Sequence, residues 1–314
     1  MSPANTARLQ LVACAALFST GGAAIKACSL SGPQVACLRS AVAAVVLALV
    51  IPSARRFDAR TLGVAAAYAA TLVTFVRATK LTTAASAIFL QSAAPLFVLA
   101  LGPWLLKEKI RRRDVGFMAA FALGLVLMLS GTNTPTATAP DPAAGNRWAA
   151  ASAVTYALTI VGLRYAARRD PHAAMSAVVA GNVLAFLLAL PGALPLRSVS
   201  AADLAVLAYL GVFQIGLAYI LMARGMRHVP AFQASLLLLV EPVLNPLWAW
   251  ILQKEMPEAA SIAGGLVILA TTVVLTWRER NAATQEGNSG DHISAGSGGE
   301  PRPGDTDRPG GRSL

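Results

Sequence analysis

Charged residues are scarce in this chain of 314 residues. Asp, Glu, Lys and Arg together make up 13% of it, whereas hydrophobic residues make up 56%. A soluble domain is about a quarter charged, so this composition excludes one. Instead, ten apolar stretches reach the length of about 20 residues that crosses the hydrocarbon core of a bilayer, and they cover residues 9–29, 33–52, 61–79, 83–106, 114–131, 148–166, 172–192, 202–222, 231–252 and 260–277. The sequence therefore predicts an all-α integral membrane protein with ten transmembrane helices.

Residues and motifs of metal, nucleotide and acyl-transfer chemistry are also scarce. The three histidines lie at predicted helix ends or in the C-terminal tail, which excludes an HExxH zinc site; they are His172, His228 and His292. The three cysteines lack metal-ligand spacing and are read as small buried residues; they are Cys14, Cys28 and Cys37. Neither a GxSxG elbow nor a phosphate-binding loop is present. The sequence thus predicts that the protein is not an enzyme and binds no metal.

Basic residues are unevenly distributed over the predicted loops, and this distribution predicts the orientation. The net charge is +11, yet no nucleic-acid-binding motif accompanies it. With the N-terminus in the cytoplasm, sixteen basic residues lie near span ends on the inner side, against six on the outer side: Lys26, Arg77, Lys80, Arg147, Arg197 and Lys254. Short cytoplasmic loops are enriched in Lys and Arg. Both termini are therefore expected in the cytoplasm, and residues 281–314, rich in Gly, Ser and Pro, form a predicted disordered tail.

The two halves of the chain resemble one another. With a constant offset of 147 residues, one half aligns with the other at Pro95 and Pro242, Lys107 and Lys254, and Glu108 and Glu255. With an offset of 138 residues, the earlier parts align at Phe18 and Tyr156, Lys26 and Arg164, and Pro33 and Pro171. Each unit, 1–138 and 139–280, holds five predicted spans, and an odd number reverses the direction of insertion. The sequence predicts two inverted five-helix repeats, an architecture typical of secondary transporters.

The motifs of these repeats resemble those of the EamA family of the drug/metabolite transporter superfamily. The resemblance rests on LVEPVLNPLWAWILQKEMP with AGGLVILATTVVL in the second half, and on SAAPLFVLALGPWLLKEK with ACLRSAVAAVVLAL in the first. It departs in the first span, FSTGGAAIK, where such proteins often have a Trp-Gly pair. The resemblance implies an inner-membrane carrier with ten helices, which exports or exchanges small metabolites, amino acids or drug-like compounds. It also implies that the carrier uses neither a cofactor nor ATP.

One carboxylate is expected at the centre of the membrane. Glu241 is the eleventh residue of the predicted span 231–252, where a charge costs at least about 2.5–3.5 kcal/mol. Pro242 and Pro246 follow it, remove helical donors, and are predicted to distort the helix beside Asn245. Three roles for Glu241 stay open: an ion pair with a cation such as Arg39, binding of a substrate amino group, or carriage of a proton.

Other polar and aromatic residues within spans are further candidates for substrate binding or ion coupling: Asn245, Arg39, Lys26, Gln91, Tyr156, Gln214, Tyr219 and Trp248. Pro95 is the repeat partner of Pro242 and is predicted to distort its own helix. Each has an ordinary alternative. Basic side chains near a span end can reach the interface, glutamines can bond between helices, and aromatic residues can pack or form the interfacial belt.

The sequence predicts a secondary transporter that moves small molecules across the inner membrane by alternating access. Its expected partners are a small-molecule substrate, the lipid bilayer and a proton as the coupling ion, without nucleic acid. The alternative from another class is a membrane protein with a signalling or structural role that transports nothing.

Overall fold

The computed structural model describes residues 2–55, 59–107, 112–129, 135–170, 172–196 and 199–253, and single positions between 263 and 278. Helices make up almost all of this part of the chain: α1 Pro3–Ser19, α2 Gly21–Ala27, α3 Gly32–Val50, α4 Ala59–Leu81, α5 Ala84–Gln91, α6 Ala94–Leu106, α7 Arg112–Leu129, α8 Pro142–Arg169, α9 Ala173–Ala193, α10 Ala201–Tyr209, a π-helix Leu210–Leu217, α11 Ala218–Gly225, α12 Ala231–Leu237 and α13 Val240–Gln253. Over the same residues no β-strand forms; an isolated bridge joins Thr136 and Ala139.

Eight helical segments within the described residues are long and apolar enough to cross a membrane: Pro3–Ala27, Gly32–Val50, Thr61–Leu81, Ala84–Leu106, Pro142–Arg169, Ala173–Ala193, Ala201–Gly225 and Ala231–Leu252. They correspond to predicted spans one to four and six to nine. The fifth prediction, 114–131, overlaps α7, whose apolar part Val115–Gly124 is shorter than a span. The structure describes only single positions of the tenth, 260–277, and the predicted tail, 281–314, lies outside the described residues. The fold is that of an all-helical, multi-pass integral membrane protein.

Side-chain caps explain where several helices begin. The hydroxyl of Ser2 accepts a hydrogen bond from the Asn5 amide at the start of α1. The carboxylate of Asp141 caps α8, which therefore begins six residues before the apolar stretch predicted from residue 148. Such oxygens satisfy amide groups of the first turn that have no helical partner. Hydropathy alone misses this polar first turn of α8.

Three of these eight segments, numbered here by the predicted spans, are interrupted within their length. The first breaks at Thr20, between α1 and α2, and the fourth breaks at Ser92 and Ala93, between α5 and α6. The ninth breaks at Leu238 and Leu239, between α12 and α13. With the offset of 147 residues, Ser92 aligns with Leu239, so two of the breaks are at equivalent positions.

The prolines lie just after the breaks rather than at them. Pro95 and Pro242 are in the first turns of α6 and α13, where a backbone donor has no helical acceptor to lose. The sequence predicts that the Leu238 carbonyl loses its usual partner four residues on. In the structure that carbonyl instead accepts a hydrogen bond from the Glu241 amide at 3.0 Å. Pro246 lies inside α13.

A π-helix, Leu210–Leu217, joins α10 and α11 without interrupting their common segment. Nothing in the sequence pattern predicts this π-helix. It packs on α3, and the approach is close, since a Cβ on Gly211 would lie 3.0 Å from the Arg39 carbonyl oxygen. Short π-helical insertions within α-helices occur often at functional sites, because they change the direction of the following side chains. Here the π-helix carries Gln214.

Close contacts between helix backbones build the core around α4. This helix packs along α8 and α9, while α3 packs along α9 and α1 along α11. A Cβ on Gly145 would lie 2.6 Å from the Thr82 amide nitrogen, and one on Gly181 would lie 2.5 Å from the Tyr68 ring. Residues 1–274 form one compact unit, and in the second unit, 275–314, the structure describes Arg278 alone.

Candidate functional site

A cavity lies among side chains from eight of the helical elements. The volume that a water molecule can reach inside it is about 30 Å³. Residues of α1, α3, α4, α5, α8, the π-helix, α11 and α13 contribute to its wall: Phe18, Arg39, Thr71, Leu72, Phe75, Gln91, Tyr156, Gln214, Ile215, Tyr219 and Glu241. This cavity, called the central cavity below, therefore brings together six of the residues that the sequence singles out.

Arg39 is the cation of the central cavity, and its side chain is 1% exposed. Its Nη1 donates to Gln214 Oε1 at 3.5 Å, and its Nη2 donates to the Leu72 carbonyl at 3.2 Å. Its Nε has no hydrogen-bond partner. Within the described residues no carboxylate forms an ion pair with it, so the guanidinium is a buried cation held only by neutral oxygens. Such a group favours an anion in the cavity beside it.

Glu241 is the carboxylate of the central cavity and is 7% exposed. It lies in the first turn of α13, directly after the break at Leu238 and Leu239. Across the described part of the chain, no hydrogen bond or ion pair reaches its carboxylate. The ion pair with Arg39, one of the three roles left open by the sequence, is therefore not formed, although both side chains line one cavity.

A second, smaller cavity of about 10 Å³ adjoins Glu241 and is called the break cavity below. It lies at the interruptions of the fourth and ninth segments, and its wall consists of Gln91, Ser92, Ala94, Pro95, Tyr156, Ile160, Ser235, Leu238, Leu239 and Glu241. Three residues line both cavities: Gln91, Tyr156 and Glu241. They form the partition between the two cavities.

Hydrogen bonds and ring contacts orient the remaining polar side chains. Gln91 Nε2 donates to Ser152 Oγ at 2.6 Å, whereas the Tyr156 hydroxyl has no partner. The Tyr219 ring contacts Phe18 at 5.0 Å and Tyr68 at 4.6 Å between centroids. The wall of the central cavity therefore contains a cluster of aromatic rings and three polar groups that can form further hydrogen bonds. These groups are the Tyr156 phenol, the Arg39 guanidinium and the Glu241 carboxylate.

Comparisons with known proteins decide the family. The sequence pattern of the EamA-like transporter family matches residues 6–130 and again residues 143–277. The chain belongs to the EamA-like transporter family. It is therefore a membrane transporter, as the resemblance of its motifs implies, and family membership agrees with the expectation that it is not an enzyme.

Two relatives agree with this assignment, and a solved structure has a similar fold. An uncharacterized transporter of Methanothermobacter thermautotrophicus is 25% identical over 62% of this chain, and the match spans only 57% of that relative. An uncharacterized transporter of Archaeoglobus fulgidus is 27% identical over 74% of this chain and 82% of its own length. A protein of known crystal structure superimposes with a TM-score of 0.69 at 21% identity, covering 88% of this chain and 99% of the other. The superposition shows a shared fold.

Three of the predicted site residues of this EamA-like transporter lie elsewhere. Asn245 is fully buried and donates from Nδ2 to the Ser19 carbonyl at 2.9 Å, and Trp248 donates from Nε1 to Ser19 Oγ at 2.9 Å. Lys26 donates to the Thr138 carbonyl. Ser19 precedes the break at Thr20, so Asn245 and Trp248 join α13 to the interrupted first segment. None of the three lines the central or the break cavity.

Several wall residues were not among the predicted site residues. Thr71, Leu72 and Phe75 follow the spacing of one face of α4, but that face is recognisable only once its neighbours are known. Phe18 could have been predicted from the sequence, because the internal repeat aligns it with the candidate Tyr156. Both residues line the central cavity.

Proposed function

We propose that this EamA-like transporter is a secondary carrier and that the central cavity is its solute site. One observation carries the proposal: Arg39 and Glu241 are buried and line the same cavity, and among the described residues neither has a partner of opposite charge. A solute with an anionic group for Arg39 and a donor or cationic group for Glu241 would satisfy both. Small metabolites, amino acids and some drug-like compounds have this combination of groups.

Transport by alternating access explains the small size of the cavity. A water molecule needs about 10–15 Å³ by the same measure, so 30 Å³ admits about two water molecules and no organic solute. Binding therefore requires the helices around Arg39 and Glu241 to separate. The interrupted segments beside Glu241 supply positions at which helices can bend without breaking a continuous hydrogen-bond ladder.

The proposed architecture has ten spans in two inverted five-helix repeats, in the inner membrane, with both termini in the cytoplasm. Two matches of the same family pattern, 6–130 and 143–277, support the repeat. The equivalent breaks at Ser92 and Leu239 support it as well. The excess of basic residues in alternate loops supports the orientation.

Reporter fusions test this orientation directly. Fusions at Arg112 and after Arg280 should report the cytoplasm, and fusions near Pro140 and Met256 should report the outside. A cytoplasmic signal near Met256 would contradict the inverted repeat, because the second unit would then be inserted in the same direction as the first.

A ligand screen followed by transport assays tests the function. Purified protein is heated with amino acids, nucleosides, sugars and cationic drugs, since a solute that binds only the folded state raises its unfolding temperature. A compound that stabilises the protein is then radiolabelled, and its uptake into proteoliposomes is measured. Arg39→Met should abolish uptake, and Glu241→Gln should abolish uptake or its dependence on pH. Ser40→Ala, which changes a buried serine outside both cavities, should do neither. A protein that transports none of its stabilising compounds would support the signalling or structural alternative.

A further inference from the structure

We propose that the break cavity is a Na⁺ site and that Glu241 is shared between this ion and the solute. The inference rests on the proposed carrier function for its mechanistic meaning, but the site itself is argued from the wall of the break cavity. It lies beside Glu241, where the fourth and ninth segments are both interrupted.

The polar wall of the break cavity offers acceptors. Ser92 Oγ donates its proton to the Ile88 carbonyl at 2.7 Å, and Ser235 Oγ donates to the Phe232 carbonyl at 2.7 Å. Each hydroxyl has thereby used its one proton and keeps only lone pairs. Gln91 donates from Nε2 to Ser152 Oγ, and its amide oxygen is a further acceptor.

Two groups of the wall have no partner of their own. Glu241 is 7% exposed and receives no hydrogen bond or ion pair from any described residue. Tyr156 is also 7% exposed, and its hydroxyl has no hydrogen-bond partner among the described residues. Five of the ten residues that line the cavity thus carry a side-chain oxygen, and one of these is a carboxylate. Hard cations are bound by oxygen ligands of this kind.

Size and charge favour a monovalent ion. The volume of about 10 Å³ admits one particle of roughly the size of a water molecule. One carboxylate balances one positive charge, whereas Mg²⁺ keeps several waters and Ca²⁺ takes six to eight oxygen ligands. A proton would neutralise Glu241 without needing a cavity or further acceptors. Na⁺ fits the whole arrangement, and carriers with interrupted helices bind Na⁺ at such positions.

The partition between the cavities gives the ion an effect on the solute. Because Gln91, Tyr156 and Glu241 line both cavities, Na⁺ on one side of Glu241 neutralises the carboxylate that faces the other side. An anionic group on Arg39 then meets less repulsion. Na⁺ should therefore raise the affinity for an anionic solute, and the solute should raise the affinity for Na⁺ by the same factor.

Thermal unfolding of the purified full-length protein tests the site without any solute. The unfolding temperature is measured in NaCl, KCl and choline chloride at one ionic strength and one pH. Na⁺ should stabilise the wild-type protein in a saturable manner, and K⁺ and choline should not. Glu241→Gln should remove the Na⁺ response. Ser235→Ala should weaken the apparent Na⁺ affinity roughly fivefold, equivalent to about 1 kcal/mol.

Ser40→Ala is the matched control, because Ser40 is as deeply buried as Ser235 but lies outside both cavities. Its Na⁺ response should equal that of the wild type. Equal stabilisation by Na⁺ and choline, or a Na⁺ response that survives Glu241→Gln, would overturn the proposal and leave water as the occupant. A protein that responds only to pH would identify the ion as a proton. Na⁺ binding without transport of any solute would instead contradict the carrier function and leave the ion site standing.

Discussion

Replacing Gly21 with alanine should displace the Arg39 side chain indirectly, through Gln214. A Cβ on Gly21 would lie 2.6 Å from Gln214 Nε2 and 3.1 Å from Gln214 Cδ. Ordinary contacts begin near 3.4 Å, so the amide must retreat by about 0.8 Å. The bond from Arg39 Nη1 to Gln214 Oε1 is already 3.5 Å long. It cannot lengthen further and survive, so Arg39 would keep only its bond to the Leu72 carbonyl.

The expected effect of Gly21→Ala is larger on binding than on stability. Loss of a hydrogen bond between transmembrane helices lowers the free energy of unfolding by about 1 kcal/mol. Replacing glycine with alanine within a helix raises it by up to about 1 kcal/mol. The free energy of unfolding should thus change by less than about 1 kcal/mol. An Arg39 side chain free to turn away should weaken binding of an anionic solute about five- to tenfold, or about 1.0–1.4 kcal/mol.

The assay is a binding titration of the anionic compound identified by the ligand screen, run beside thermal unfolding. Gly63→Ala is the control, since no atom lies within 4 Å of a Cβ there. The double variant Gly21→Ala/Gln214→Ala tests whether the effect on affinity passes through Gln214. In the Gln214→Ala background, Gly21→Ala should weaken binding little further. Wild-type affinity in Gly21→Ala, or an undiminished effect in the Gln214→Ala background, would refute the reasoning.

Two further predictions concern packing and the loop after α2. Gly145→Ala should lower the free energy of unfolding by about 1–3 kcal/mol, because the new Cβ would lie 2.6 Å from the Thr82 amide nitrogen, and a melting curve matching that of Gly63→Ala would contradict it. Burial raises the pKa of the Cys28 thiol, and its Sγ donates to the Asp203 carboxylate at 3.3 Å. A maleimide should therefore label Cys28 slowly at neutral pH and faster as pH rises. In a variant without the other two cysteines, Asp203→Asn should increase the labelling rate, and equal rates with and without Asp203→Asn would contradict this prediction.

The membrane spans and the deep carboxylate could be predicted because lipid leaves few alternatives. An apolar run of about 20 residues must form a helix in a bilayer, and a lone carboxylate within it, such as Glu241, must face protein or a cavity. The eight helical segments that are long and apolar enough to cross a membrane, and the contact of Glu241 with two cavities, follow from these constraints. The internal repeat likewise pointed to Phe18 through its alignment with Tyr156.

The contacts between distant residues could not be predicted in the same way. Asn245 was expected beside Glu241 because one helical turn separates them, yet it donates to Ser19, 226 residues earlier in the chain. The π-helix that carries Gln214 leaves no hydropathy signal, since its residues are as apolar as those of an α-helical span. The separation of Arg39 from Glu241 depends on how α3 and α13 pack, and this information is spread over many residues.

The measurement that tests the central claim most directly is transport by Glu241→Gln in proteoliposomes, using the compound identified by the ligand screen. Because no cation pairs with Glu241 among the described residues, the variant leaves no partner unpaired and should unfold at or above the wild-type temperature. The account predicts a folded, inserted protein that has lost transport or the dependence of transport on Na⁺ and pH. A Glu241→Gln protein with wild-type transport and wild-type dependence on both ions would contradict it.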